Sequence, residues 1–176
     1  MKKLDIALIV SALTLPISAF AEKAATLNVE QKIEINAPTS TVWSKLHNFS
    51  DMGAWHPAVK KTELVEGQNN KAGAVRLLTL QDGGTIKEKL ITYKFKEKSF
   101  EYEIIEGVLP VSNYVSTLTV TEAKDGKSLV VWKGNFKRKD TSDQPVAGLG
   151  DEDAVKTITS VYKGGLDNLK KVSETK

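Results

Sequence analysis

Apolar and polar residues alternate along most of this chain, and the alternation gives way to a helical period in two places. Between Leu27 and Ile35, apolar Leu27, Val29, Ile33 and Ile35 fall on alternate positions with Gln31 among them, and Asn28, Glu30, Lys32 and Glu34 fill the gaps. Strand side chains point to opposite faces with a period of two, so the run predicts a half-buried strand. Asn36-Ala37-Pro38-Thr39 punctuates it, and Pro38 suits a first helical turn. Val42, Leu46 and Phe49 then follow at helical spacing, with Trp43 beside Val42. Ser50 or Asp51 is placed to cap a second short helix running to Trp55, which His56-Pro57 ends.

Strand patterning returns over Val59–Glu66, Ala74–Leu80, Thr85–Lys94, Ser99–Glu106, Val111–Glu122 and Ser128–Lys139. The connections are short and antiparallel in character: 67–73, Asp82-Gly83-Gly84, Lys96-Glu97-Lys98 and Lys124-Asp125-Gly126. A loop over 140–150 leads into Asp151–Val172, where Val155, Ile158, Tyr162, Leu166 and Leu169 form one helical stripe. The acidic start at 151–153 and the lysines 170 and 171 complement the helix dipole. Gly164-Gly165 inside this helix reads equally as close packing on the sheet or as room left above a cavity. The order of elements is strand, two short helices, six antiparallel strands and one long helix, an α+β arrangement.

The N-terminus belongs to a different class of signal. Lys2 and Lys3 precede the apolar run 6–15, and Ala19-Phe20-Ala21 fits the small-x-small rule for cleavage. The run is too short to span a bilayer, which takes about 20 apolar residues. Residues 1–21 are therefore expected to be a signal peptide. Residues 22–176 would then form a single domain, exported to the periplasm or secreted, with no membrane span once the signal is removed. The chain has no cysteine, so neither a lipid-modified N-terminus nor a disulfide is open to it. Its net charge of +3 is too small to imply a polyanionic partner. The lysines alternate with apolar or small residues, as on the wet face of a sheet, and no nucleic-acid partner is expected. Two histidines without cysteine leave little for a transition metal, and neither metal nor cofactor is expected.

The candidate site begins with an exception to the pattern. In the strand after Asp82-Gly83-Gly84, Glu88 falls on the same face as Ile86 and Leu90, while Lys87 and Lys89 take the other. An ionised carboxylate among apolar neighbours is costly unless it is answered. Arg76 falls among Leu78 and Leu80 on the preceding strand, which the turn folds back against Glu88. Antiparallel pairing would bring the two together, either as a purely structural pair or as the polar end of a binding site. Tyr102 shares a face with Phe100 and Ile104, Tyr114 with Leu118 and Val120, and Trp132 with Val130 and Phe136. Each reads as a core aromatic, and the two phenols could also reach a polar ligand. Trp55 and His56 stand at a helix end, where the imidazole could form a pH-sensitive rim or a solvated turn. His47 reads as a surface helix residue.

Taken together, Ala37-Pro38 followed by Val42-Trp43, Trp55-His56-Pro57, the turn with its inward acid, Leu109-Pro110-Val111-x-Asn113-Tyr114, Val131-Trp132 and Gly165-Leu166-x-Asn168-Leu169 resemble the START-like, or SRPBCC, superfamily of polyketide cyclase/dehydrase, lipid-transport and birch-pollen-allergen proteins. The resemblance covers nearly all of 27–171 and implies a helix-grip fold, a curved antiparallel sheet wrapped around the C-terminal helix. The short exported form looks most like the MxaD-like group of periplasmic proteins found with methanol-oxidation genes. The plant abscisic-acid receptors are similar as well. On that resemblance, 81–85 stands at a gate position, with Gly83 and Gly84 at its tip, and 107–111 at a latch position, with Leu109 and Pro110. Arg76, Glu88 and Tyr114 match pocket residues, and a ligand-pairing lysine falls at His56.

Three functions fit these readings. The first is a small-molecule binding protein, expected to be a monomer, whose internal cavity takes a hydrophobic or amphipathic ligand, with Trp55, His56, Arg76, Glu88, Tyr102, Tyr114 and Trp132 as candidate ligand-binding residues. The second, implied by the MxaD-like resemblance, is an accessory protein to a periplasmic oxidoreductase such as methanol dehydrogenase. The third and weakest is a cyclase or dehydratase, in which Glu88 with Tyr114 or His56 would supply acid–base chemistry.

Overall fold

The computed structural model describes residues 24–175, and the leader expected at 1–21 lies outside them. The strands are β1 (Leu27–Ile35), β2 (Val59–Glu66), β3 (Val75–Leu80), β4 (Thr85–Lys94), β5 (Ser99–Gly107), β6 (Val111–Glu122) and β7 (Ser128–Arg138). Two helices, α1 (Thr39–Leu46) and α2 (Asp151–Glu174), complete the set among the described residues, with 3-10 turns at Met52–Ala54 and Lys124–Gly126. All seven strands form one antiparallel sheet in the order β1-β7-β6-β5-β4-β3-β2. The first strand thus lies beside the last, and α2 crosses the sheet against β1 and β7. This is the helix-grip α+β fold.

The alternation in the sequence is the burial pattern of the sheet. On β6, Tyr114, Ser116, Leu118 and Val120 are buried, and on β7 Ser128, Val130, Trp132, Gly134 and Phe136. The outer faces of these strands carry the threonines and lysines. The buried stripe of α2 is Ala154, Ile158, Tyr162, Gly165, Leu166 and Leu169. Val155, which the sequence placed in that stripe, lies at its edge, and Ala154 takes the central place against the sheet. Arg138 fixes the start of α2: its Nη1 meets Asp151 Oδ1 at 3.1 Å, while Nε and Nη2 donate to the carbonyls of Asp140 and Ser142.

The segment joining α1 to β2 departs from its expected form. Pro38 precedes the first turn of α1 rather than lying in it, and the helix stops at Leu46, leaving Phe49 buried outside it. The second helix shrinks to Met52–Ala54, with Asp51 at its N-cap position but no side-chain capping bond. The Ser50 hydroxyl instead donates to Asn48 Oδ1. Asparagines from the β2–β3 connection hold this stretch down, Asn70 Oδ1 accepting from Phe49 N at 3.0 Å and Asn69 Oδ1 from Ser50 N at 3.0 Å. The Phe49 carbonyl lies outside any helix and points into the protein.

Strands β5 and β6 pair from Ser99 opposite Thr119 only as far as Glu103 opposite Val115. Beyond that point β5 continues along β4 to Gly107, and β6 is carried along β7, with a register shift between Ser112 and Val115. Asn113, inside the irregular stretch, takes a φ of 49°. The two strands therefore splay, and an open groove of about 610 Å³ lies between them, lined by Ile105, Gly107, Leu109, Asn113 and Lys139 among others.

Candidate functional site

Between the sheet and α2 lies a second, more enclosed cavity of about 60 Å³. Its floor comes from the inward residues of β3 to β7, its roof from Ile158 and Val161 of α2, and one side from Met52 and His56. Apolar side chains make up most of the wall. The polar groups on it are Glu88, Tyr102, Tyr114, His56 and Trp132.

Glu88 and Arg76 stand directly opposite in the β3–β4 register, the arrangement that the hairpin turn imposes. Glu88 Oε2 accepts from Arg76 Nε at 2.7 Å and lies 2.6 Å from Nη2. Arg76 Nη1 donates to the Phe49 carbonyl at 2.7 Å, and the guanidinium lies over the Phe49 ring with its carbon 4.1 Å from the ring centre. Both side chains are buried, at 2% and 4% exposure. Burial raises the Glu88 carboxyl above its ordinary value, against the pull of Arg76. Removing one partner of such a pair strands a buried charge, a loss of about 3 to 5 kcal/mol.

The aromatic residues form a single hydroxyl network. Ser116 Oγ donates to the Lys133 carbonyl at 2.9 Å. A hydroxyl has one proton, so in the 2.8 Å contact between Ser116 and Tyr162 the phenol is the donor. Tyr162 then accepts from Tyr114 at 2.6 Å, and Tyr114 from Tyr102 across a longer 3.4 Å. Trp132 Nε1 divides its proton between Ser116 at 2.9 Å and Tyr102 at 3.1 Å. Burial pushes Tyr102 up to about 12 and holds Tyr114 and Tyr162 well above the ordinary phenol range. All three stay protonated at neutral pH.

His56 is neither a rim nor a solvated turn. It is 3% exposed, its Nε2–H donating to the Val161 carbonyl at 3.1 Å and its Nδ1 accepting from Ala58 N at 3.3 Å. A carbonyl only accepts, so the ring is the Nε2-protonated tautomer. Desolvation, aided by the charge of Arg76, lowers its pKa from 6.5 to about 4. Helix α2 comes close enough for this contact because it carries glycine there. A Cβ at Gly165 would meet His56 Cδ2 at 2.5 Å and Trp132 Cζ3 at 2.8 Å, whereas one at Gly164 would meet nothing within 4 Å. The glycine pair left open by the sequence is thus resolved: position 165 serves close packing. On the sheet side, Gly134 makes room for the Tyr162 hydroxyl.

Of the residues singled out from the sequence, His56, Glu88, Leu109, Tyr102, Tyr114 and Trp132 line the cavity. Arg76 stands behind Glu88 and Met52 rather than on the wall, its Nη2 3.4 Å from Met52 Sδ. Trp55 also stands behind, its ring centre 5.6 Å from that of Trp132 and its carbonyl taking the Asn168 amide. Gly83 and Gly84 form the exposed β3–β4 turn, with a φ of 89° at Gly83. The turn reaches the segment after β5: a Cβ on Gly84 would lie 2.9 Å from Val108, and Val108 N donates to the Thr85 carbonyl at 3.1 Å. The gate and latch positions are therefore in contact, with Leu109 turned to the cavity and Pro110 half-buried beside it. His47, half-buried, belongs to a separate outer cluster with Trp43 and Phe95. Sequence reasoning missed Ser116, Tyr162, Met52 and the Phe49 carbonyl. A serine alternating with Tyr114 and Leu118 was the same kind of exception as Glu88. The carbonyl left no mark in the sequence.

Comparison with known proteins agrees with this arrangement. Residues 26–174 match the model of the family described as polyketide cyclase / dehydrase and lipid transport. The chain is 28% identical over 123 residues to MLP-like protein 423 of Arabidopsis thaliana, covering 65% of this chain and 77% of that protein. It is 26% identical over 147 residues to the abscisic acid receptor PYL6 of the same plant, covering 80% of this chain and 66% of the receptor, slightly under two thirds of its length. The solved structure of XoxI from Bacillus cereus superposes with a TM-score of 0.71 at 31% identity, covering 82% of this chain and 94% of that one. The helix-grip fold, the inward Arg76–Glu88 pair and this match over nearly all of the described residues together place the chain in the polyketide cyclase/dehydrase and lipid transport family of the START-like superfamily.

Proposed function

We propose that this protein is a periplasmic binding protein that holds a small apolar or amphipathic molecule between its sheet and α2, after export and loss of residues 1–21. The observation that carries the reading is the cavity itself: apolar walls with a few convergent polar groups are the usual composition of a ligand site. The polar groups are fixed by one another rather than poised to exchange protons, with phenols that stay protonated and an imidazole held in one tautomer. That supports binding over turnover. At about 60 Å³ the space falls well below the 300 Å³ or more of a drug-sized site. The occupant is small, or the walls move apart to take a larger one. Xenon is a suitable probe, because it needs apolar walls and no hydrogen-bond partner. Under xenon pressure, the methyl resonances of Leu78, Ile86 and Ile158 should shift along one saturable isotherm, while those of surface methyls stay put. Methyls that remain unmoved would mean that the space is not a binding site.

A second reading rests on the outer surface. Phe95 is 60% exposed beside Trp43 and His47, with Lys96 and Lys98 lining the same shallow depression. An apolar patch rimmed by charge suits a protein partner. In this reading the chain is an accessory to a periplasmic oxidoreductase of the methanol-dehydrogenase kind, as the MxaD-like resemblance implies.

A further inference from the structure

Hydrogen-bond donors around the cavity are almost all spent inside the fold, and acceptors are left over. The proton of His56 Nε2 goes to the Val161 carbonyl. Tyr114 gives its proton to Tyr162, and Trp132 divides its own between Ser116 and Tyr102. Arg76, the one cation near it among the described residues, is held off the wall by Glu88, Phe49 and Met52. Glu88 is on the wall, and both of its bonds to Arg76 end on Oε2. Its Oε1 accepts no hydrogen bond among the described residues. The loosest proton is that of Tyr102, whose phenol lies 3.4 Å from its acceptor on Tyr114. A group that both gives and takes a hydrogen bond would complete this set.

We infer that the cavity selects a short-chain alcohol and rejects carboxylates, the hydroxyl proton going to Glu88 Oε1 and the hydroxyl oxygen accepting from Tyr102. The inference rests on the cavity being the binding site proposed above. An acid of the same size would bring a second negative charge to Glu88 and find one donor, so the arrangement discriminates by what it refuses as well as by what it binds. The identity of the polar group is thereby set opposite to that of a site built around a free lysine or arginine. The size is set by volume: about 60 Å³ is roughly the liquid share of two water molecules, which limits the ligand to an alcohol of about two or three heavy atoms in close contact with the wall. The chain of the alcohol would lie against Leu78, Ile86 and Ile158.

The test compares xenon, ethanol and acetate on the full-length protein, read through the same methyl resonances. Ethanol is expected to shift them saturably at millimolar concentrations, and acetate to bind about tenfold more weakly or worse, the worth of about one hydrogen bond and one refused charge. In Tyr102→Phe the ratio of ethanol to xenon affinity is expected to fall severalfold, because the phenol proton is lost while the ring remains. Acetate binding as well as ethanol, or an ethanol-to-xenon ratio unchanged in Tyr102→Phe, overturns the inference and leaves the cavity reading standing. Xenon without ethanol does the same. Neither xenon nor ethanol binding overturns both.

Discussion

Glu88 shows what a single side chain can disclose and what it cannot. Its place among Ile86 and Leu90 marked it as inward, and the turn at 82–84 named Arg76 as its partner, which the register bears out. Alternation fixes only a face, however. It could not tell that Arg76 would be drawn behind the wall by the Phe49 carbonyl, a backbone group that no side-chain pattern marks. His56 was harder still, because a histidine before proline looks alike whether α2 covers it or not. Its burial has a measurable consequence. With a pKa of 6.5 unfolded and about 4 folded, the unfolded chain binds the proton more tightly between those values, so His56 favours the fold above pH 6.5 and loses that contribution as pH falls toward 4. At about 1.4 kcal/mol per pH unit, the loss is bounded at about 3 kcal/mol. Glu88 works the other way. Its raised carboxyl takes up a proton more readily in the fold than in the unfolded chain, which offsets part of the decline at low pH. Urea denaturation at pH 7 and pH 4.5 should therefore show wild type losing more stability than His56→Gln. Parallel losses would mean that the imidazole is not buried in the neutral form.

At the scale of elements, strands were legible to within a residue or so because one face of the sheet is wet and the other dry, and period two is written most plainly along β4, β6 and β7. The long helix was equally plain. The stretch 47–58 was not, since its shape depends on side-chain bonds from Asn69 and Asn70, some twenty residues away, and no local period records them. Gly164-Gly165 was ambiguous for a related reason: a missing side chain says nothing about which neighbour needs the space. The structure separates the two positions, and the separation can be measured. Gly165→Ala drives a methyl into His56 and Trp132 and is expected to destabilise by about 1 to 3 kcal/mol, the usual range for overpacking. Gly164→Ala meets open space and should stabilise by up to about 1 kcal/mol through helix propensity alone. Chemical denaturation of the two variants tests the assignment. Equal effects would mean that α2 sits farther from the sheet than described.

For the whole molecule, the feature that the sequence concealed is the parting of β5 from β6. Each strand has an unbroken pattern of its own, and such patterns do not say where two neighbours stop pairing. The parting brings the outer groove close to the inner cavity, and Leu109, Ile104 and Tyr114 line both. Ile104 belongs to β5 and Tyr114 to β6, whereas Leu109 sits in the short connection between them, beside the Gly84–Val108 contact. It is the part of the partition that can be cut back with least harm to the sheet. Leu109→Ala is expected to join an enclosed space of about 60 Å³ to the groove of about 610 Å³ and to admit molecules that the closed protein excludes. Because Leu109 is only half-buried, the stability lost should lie at or below the lower end of the 2 to 5 kcal/mol range, about 2 kcal/mol. A naphthalene-type dye, too large for the wild-type cavity, should bind this variant at about 1:1 with a blue-shifted emission, and xenon should leave it faster than it leaves wild type, since a lost closing contact acts mainly on the off-rate. Val108→Ala, which trims the outer contact without touching the partition, should admit no dye. Dye binding to wild type, or equal exclusion by wild type and Leu109→Ala, would place the way in elsewhere on the sheet.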